Sequence, residues 1–87
     1  MWEIWKRSEV YNWTVEDTVH WLIDYVDLPQ YQSIFLDNKL NGTQLPRMAS
    51  EPGFLSRKLG ITDLRHRQKL HLKAQDVVLF GAPKGMI

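Results

Sequence analysis

Apolar residues recur at helical spacing along most of the chain, and no segment reads as a strand. Val15, Val19, Leu22, Ile23 and Val26 stand at i, i+4, i+7, i+8 and i+11, and Trp21 and Tyr25 widen that stripe. Thr14 ahead of them is a good N-cap, and Asp17 three residues on approximates a capping box. Pro29 suits the first turn of a second helix, with Tyr31, Ile34, Phe35 and Leu36 as its buried side. Positions 38–42 read as a turn. Thr43 then opens a very short helix that bears Leu45 and ends near Pro46, Arg47 and Met48. Ser50, Glu51 and Pro52 form another start signal, because a proline just inside a helix lacks an N–H that would be unpaired anyway. Phe54, Leu55 and Leu59 are the apolar residues of this fourth helix, and Gly60 closes it. Thr62 caps a final helix over roughly 63–80, which Gly81 and Pro83 end. The pattern predicts an all-α domain of five helices with short links and no internal repeat.

The last helix carries apolar residues on two sides. At about 100° per residue, Leu70, Ala74 and Val77 share one face, flanked by Val78 and Phe80. Leu72 and Leu79 lie opposite, one heptad apart, with Leu64, Gln68 and Gln75 beside them. A helix that packs with one face and shows leucine on the other either has a second partner or has scattered exposed leucines. The first reading makes Leu72, Gln75 and Leu79 the candidate partner-binding residues. Near the other end, Trp2 and Trp5 fall on one side of a short helix. They pack against something outside the sequence or fold back onto this domain's core.

A chain of 87 residues holds one domain and buries only about 60% of its unfolded surface. Its 44% hydrophobic and 24% charged content is ordinary for a globular protein. Absence of cysteine excludes disulfides and thiolate metal sites. The longest apolar run, Val77 to Phe80, is far short of the roughly 20 residues a membrane span needs. Met1 is followed by Trp2 and Glu3 and not by an apolar stretch, so it reads as the start of an excised piece whose targeting information lies elsewhere.

Net charge is only +1, but its distribution is uneven. Positions 14–38 hold Glu16, Asp17, Asp24, Asp27 and Asp37 without Lys or Arg, and positions 57–73 hold Arg57, Lys58, Arg65, Arg67, Lys69 and Lys73 against Asp63 alone. Such halves complement each other between copies, with Asp24, Asp27, Arg65, Arg67 and Lys69 as candidate self-association residues, or they are two solvated faces.

Chemistry is poorly provided for. Glu16 and Asp17 are adjacent and diverge on a helix, where capping and dipole roles account for both. His66 and His71 are five apart and do not share a face, His20 is distant, and all three read as surface residues. No phosphate loop, nucleophile elbow or calcium loop occurs, so neither catalysis nor metal binding is expected. The basic group Arg65, His66, Arg67, Lys69 and Lys73 opposes the helix dipole, which Asp63, phosphate or an acidic neighbour would offset. It lacks the interleaved aromatics that stack on bases, which argues against nucleic acid. Two N-glycosylation triplets are present, Asn12-Trp13-Thr14 and Asn41-Gly42-Thr43, each with a structural reason of its own: Thr14 caps a helix and Asn41-Gly42 makes a turn.

Trp13-Thr14-Val15-Glu16-Asp17, Trp21-Leu22, Leu28-Pro29-Gln30-Tyr31, Phe35, and Leu59-Gly60-Ile61-Thr62-Asp63 with His66-Arg67-Gln68-Lys69-Leu70 resemble a sterile alpha motif (SAM) domain. The resemblance covers positions 12–80 and implies a five-helix bundle that binds other proteins and does no chemistry. Ser8-Glu9-Val10-Tyr11-Asn12-Trp13-Thr14, Leu45-Pro46-Arg47, and the segments from His66 to Ala74 and from Asp76 to Gly81 narrow it. They are similar to the luminal SAM domain of the stromal interaction molecules, calcium sensors of the endoplasmic reticulum. This likeness implies a connecting segment at 1–11 from a preceding EF-hand pair, the SAM domain at 12–81, and a tail at 82–87 leading toward a membrane span. It implies that calcium binds in the absent EF-hands, with no cofactor in this chain. Asn12 matches a glycosylation site of that family, and Asn41 matches none. Leu79 and the position of Gln75 match two leucines that dock into the calcium-loaded EF-hand cleft. Gln75 departs from that pattern, which shifts the expected docking toward Leu72. The implied function is EF-hand docking with calcium bound and self-association on depletion, in store-operated calcium entry. The alternatives are a cytosolic scaffold polymerising head to tail and, behind it, an RNA-binding SAM domain.

Overall fold

Helix α1 begins at Val15 because the capping box forms in full. Thr14 Oγ1 accepts from the Asp17 N–H at 3.2 Å, and Asp17 Oδ2 accepts from the Thr14 N–H at 3.1 Å. The computed structural model describes residues 10–51 and 53–82, and every regular element among them is helical. α1 runs over Val15–Trp21 and continues without a break as a π turn, Leu22–Val26. Val19, Leu22 and Val26 are buried, and Val15 and Ile23 are half-buried. Trp21 is a core residue, 1% exposed, and not the edge of the stripe.

Helix α2 is a 3-10 turn, Pro29–Tyr31, leading into Gln32–Asp37. It buries Phe35 and half-buries Tyr31 and Ile34, but Leu36 is 46% exposed. On so short a helix the residue after Phe35 points about 100° away from it, off the core. Helix α3 is likewise a 3-10 turn, Gly42–Gln44, followed by Leu45–Ser50. Pro46 does not end this helix as the sequence implied. It occupies the first turn, where its missing N–H costs nothing, and the helix runs on to bury Met48 and Ala49.

Helix α4 is a single π turn, Phe54–Lys58. Both π turns finish in a left-handed residue, directly after the first and one residue later, beyond Leu59, after the second, and in each the next N–H reaches back six residues. Asp27 (φ 63) precedes the Leu28 N–H bond to the Leu22 carbonyl at 3.1 Å, and Gly60 (φ 70) precedes the Ile61 N–H bond to the Leu55 carbonyl at 3.0 Å. Helix α5, Leu64–Phe80, is capped by Asp63 and not by Thr62, with Asp63 Oδ1 accepting from the His66 N–H at 3.1 Å. Gly81 ends it at φ 88.

α5 packs chiefly on α3 and presents Leu70, Ala74 and Val77 to a core that includes Leu22, Phe35, Leu45 and Ile61. Two residues outside the recognised elements also belong to it. Leu40, within the segment read as a turn, is 2% exposed, and Val10, placed in the connecting segment, is fully buried. The bundle therefore reaches back at least to Val10, and Ala82, assigned to the tail, packs against the core. Trp2, Trp5, Pro52 and Pro83 lie outside the described residues.

Candidate protein-interaction surface

Two sides of α5 meet different surroundings. Leu70 and Ala74 are 0% exposed, whereas Leu72 is 59% and Leu79 69% exposed. Leu64 on the flank of that outer side is 60% exposed. Phe80, expected to border the core, is 81% exposed, although Val77, Val78 and Ala82 around it pack on the core. Near it Trp21, Tyr25, Lys73, Asp76 and Val77 line a shallow groove. The outer leucines are thus offered to solvent by a helix whose position is fixed from its other side.

Gln75 does not belong with them. Its Nε2 donates to the Ala49 carbonyl at 3.2 Å and to His71 Nε2 at 3.1 Å, and His71 Nδ1 bonds the Met48 carbonyl at 3.1 Å. One tautomer satisfies all three contacts: Nδ1–H donates and Nε2 accepts. The two carbonyls lie in the last turn of α3, where no intrahelical donor remains for them. His71 and Gln75 therefore cap α3 from α5. Gln75 is committed to the bundle, and the outer stripe consists of Leu72 and Leu79.

The histidines are correspondingly less free than the sequence implied. His66 is half-buried, with Nδ1 2.5 Å from the Tyr31 hydroxyl and the rings edge to face at 5.4 Å, which joins α2 to α5. Burial, and then the charge of Asp63, hold the Tyr31 hydroxyl above the usual tyrosine range. The N–H bond from His66 chiefly lowers the Asp63 carboxyl below the carboxylate range, and the His66 and Arg65 charges add to it. Asp63 thereby offsets the misplaced cations at the start of α5. Of the three histidines only His20 is a surface residue, paired with Asp24 at 2.5 Å across one helical turn.

The candidate charged residues are dispersed. Asp24 is engaged with His20, and Asp27 has a conformational task at the end of α1. Arg65 and Lys69 are exposed on α5. Arg67 is half-buried, and its Nε is enclosed without a hydrogen-bond partner among the described residues. Asn12 is exposed, and Asn41 is half-buried with its side chain folded into its own turn. Among the described residues no three His, Asp or Glu side chains are grouped to hold a metal, and no helix is long and apolar enough to cross a membrane.

The signal for the His71–Gln75 tie lay in its i, i+4 spacing on the flank of the core face, but its partners are backbone carbonyls that carry no sequence signature.

Comparison with known proteins agrees with this architecture. A family model described as SAM domain (Sterile alpha motif) matches residues 10–78. The chain is 51% identical over 85 residues to a stromal interaction molecule homolog of Drosophila melanogaster, covering 97% of this chain and 15% of that protein. It is 31% identical over 65 residues to SH3 and multiple ankyrin repeat domains protein 2 of Xenopus laevis, covering 75% of this chain and 5% of that protein. The chain thus spans a small part of each of these relatives. The matched span begins at Val10, the first described residue and already fully buried, and runs into the last turn of α5. On the fold, the packing and the family match together, this chain belongs to the sterile alpha motif family of protein-interaction modules.

Proposed function

We propose that this domain is the interaction module of a luminal calcium sensor of the endoplasmic reticulum, part of a single-pass membrane protein. With calcium bound, adjacent EF-hands in the same chain cover Leu72 and Leu79 and keep the luminal region monomeric. When calcium is lost, α5 is released and its apolar surface supports self-association, the first step of store-operated calcium entry. The supporting observation is the pair of outward leucines, 59% and 69% exposed, on a helix anchored by residues 0–3% exposed. Likeness to the stromal interaction molecule homolog supports the same reading. A partner that binds only the docked arrangement stabilises it by mass action, so calcium occupancy reads out as the stability of the pair.

Leu79→Arg in a longer chain that includes the EF-hands tests this in saturating calcium. Sedimentation velocity should show self-association where the unsubstituted protein is monomeric. A variant that stays monomeric overturns the reading.

Head-to-tail polymerisation in the cytosol is the second reading, favoured by exposed Asp27 at one site and exposed Arg65 and Lys69 at another. Ionic strength separates the two. Charge-driven polymers dissolve toward ~1 M salt, where the Debye length is about 3 Å, and apolar association persists.

A further inference from the structure

We infer that Asn41 is a second N-glycan acceptor, set beside Asn12 on one edge of the bundle. This rests on the luminal reading above, because the sugar is transferred only in the secretory compartment. The triplet Asn41-Gly42-Thr43 satisfies the chemical requirement for a hydroxyl two residues after the asparagine. The fold adds what the triplet alone does not contain.

Asn41 divides its amide between two tasks. Its Oδ1 accepts from the Thr43 N–H at 3.0 Å and from Thr43 Oγ1 at 2.5 Å, which holds the turn that opens α3. Its Nδ2 makes no hydrogen bond among the described residues, and it is not an enclosed atom. Glycosylation replaces one Nδ2 hydrogen with the anomeric carbon of a sugar. The product is still an amide with the same carbonyl oxygen, so both bonds to Thr43 survive. Nothing that holds the turn together is lost when the sugar arrives.

The neighbourhood is set by Gly42. Its N–H donates to the Trp13 carbonyl at 3.0 Å, which lays residues 41–43 along residues 10–13. Asn12, exposed, lies in that second segment. The two acceptors therefore share an edge, and an edge bearing two branched sugars is closed to tight protein packing.

In the transfer, Asn41 Nδ2 forms a bond to the anomeric carbon of a lipid-linked oligosaccharide pyrophosphate. The bond from that carbon to the pyrophosphate oxygen breaks, the lipid pyrophosphate leaves, and the displaced amide proton passes to the transferase.

The test uses the full-length protein made in eukaryotic cells. Trypsin separates the two sites, releasing Asn12 in peptide 8–39 and Asn41 in peptide 40–47. Enzymatic removal of glycans in heavy-oxygen water converts each formerly glycosylated asparagine to labelled aspartate, which mass spectrometry counts. Label is expected on most copies of both peptides. Thr43→Ala should abolish it at Asn41 and leave it at Asn12. Asn41→Asp, which keeps an oxygen acceptor for Thr43, should abolish it at position 41 and leave it at Asn12. Label on 8–39 but not on 40–47 overturns the inference and leaves the luminal reading standing. Absence from both overturns both.

Discussion

Gly42→Ala is expected to be among the most damaging single-methyl changes in this domain, for a reason unrelated to backbone freedom. Gly42 does not have the positive φ that favours glycine at Gly60 and Gly81. A Cβ at position 42 would instead lie 1.8 Å from the Val10 carbonyl oxygen and 2.9 Å from that of Tyr11. Moving from 1.8 Å to the 3.4 Å where ordinary contact begins separates the two segments by about 1.6 Å. That opening stretches the 3.0 Å bond from the Gly42 N–H to the Trp13 carbonyl beyond any useful length. It also lifts fully buried Val10 from the core. A hydrogen bond of this kind contributes about 0.5–1.5 kcal/mol, and a fully buried valine about 1.5–3 kcal/mol. Partial loss of both, with overpacking strain of about 1–3 kcal/mol, gives a destabilisation of about 3–5 kcal/mol. Domains of this size have about 4–13 kcal/mol in all, so the loss is a large share. Gly60→Ala is the control: its Cβ meets nothing within 4 Å, and only the left-handed backbone at φ 70 opposes it. That cost is about 1–2 kcal/mol. Urea unfolding followed by tryptophan fluorescence ranks the two, with Trp13 beside the affected segment. A Gly42→Ala midpoint equal to or above that of Gly60→Ala refutes the close-approach argument.

Leu70→Ala should cost about 2–5 kcal/mol, whereas Leu72→Ala, two residues along the same helix, should cost under about 0.5 kcal/mol; equal shifts in chemical denaturation would show that α5 does not have two distinct faces. Gln75→Leu should lower the stability of the isolated domain by about 1 kcal/mol, because the Ala49 carbonyl loses its donor. An unchanged unfolding midpoint would remove the tie between α5 and α3. Asp63 has a lowered carboxyl pKa, so its stabilisation is fully present above the unfolded carboxylate value and is lost as pH falls through the lower folded value. Asp63→Asn keeps a capping acceptor without the charge, and should flatten the acid limb of stability measured by urea midpoints between about pH 5 and pH 2.

Periodicity made most of this fold legible, and it failed where backbone contacts decide. The stripes of α1 and α5 were clear because long amphipathic helices repeat their signal over several turns. Thr14 with Asp17 and Gly60 acted as read, since each works through its own chain neighbours. The shorter helices were harder. Pro46 reads equally as a stop or as a first-turn residue, and only the burial of Met48 and Ala49 beyond it decides. Leu36 and Leu40 exchanged roles, because a six-residue helix and a turn leave too few positions to define a face. The π turns have no local signature; each accommodates one additional residue so that Leu28 and Ile61 reach the core. Of the surface, Leu72 and Leu79 were visible as residues on the wrong side of a good stripe. The role of Gln75 was hidden because it bonds the Ala49 carbonyl, more than twenty residues away in sequence.

Magnitudes also constrain which kind of partner suits the outer face of α5. Fully covering a leucine contributes about 1.5–3 kcal/mol. Leu64, Leu72 and Leu79 are each 59–69% exposed, so a partner that covers the remainder gains about 1–2 kcal/mol from each, or about 3–6 kcal/mol together. Bringing two separate molecules together costs about 4–15 kcal/mol. Three leucines alone would therefore hold a free partner weakly or not at all. A module joined by a short linker avoids most of that cost, because it sits at an effective concentration near millimolar. On the function proposed above, the face suits a neighbour in its own chain, held firmly enough to dock and loosely enough for a lost ion to release it. The same arithmetic limits the assembly that release can produce. Self-association between separate chains needs more apolar area than these leucines supply, with Phe80 and the cleft that α5 vacates as the nearest sources. On that proposal the associating unit would be the SAM domain and its EF-hands together, not this domain alone.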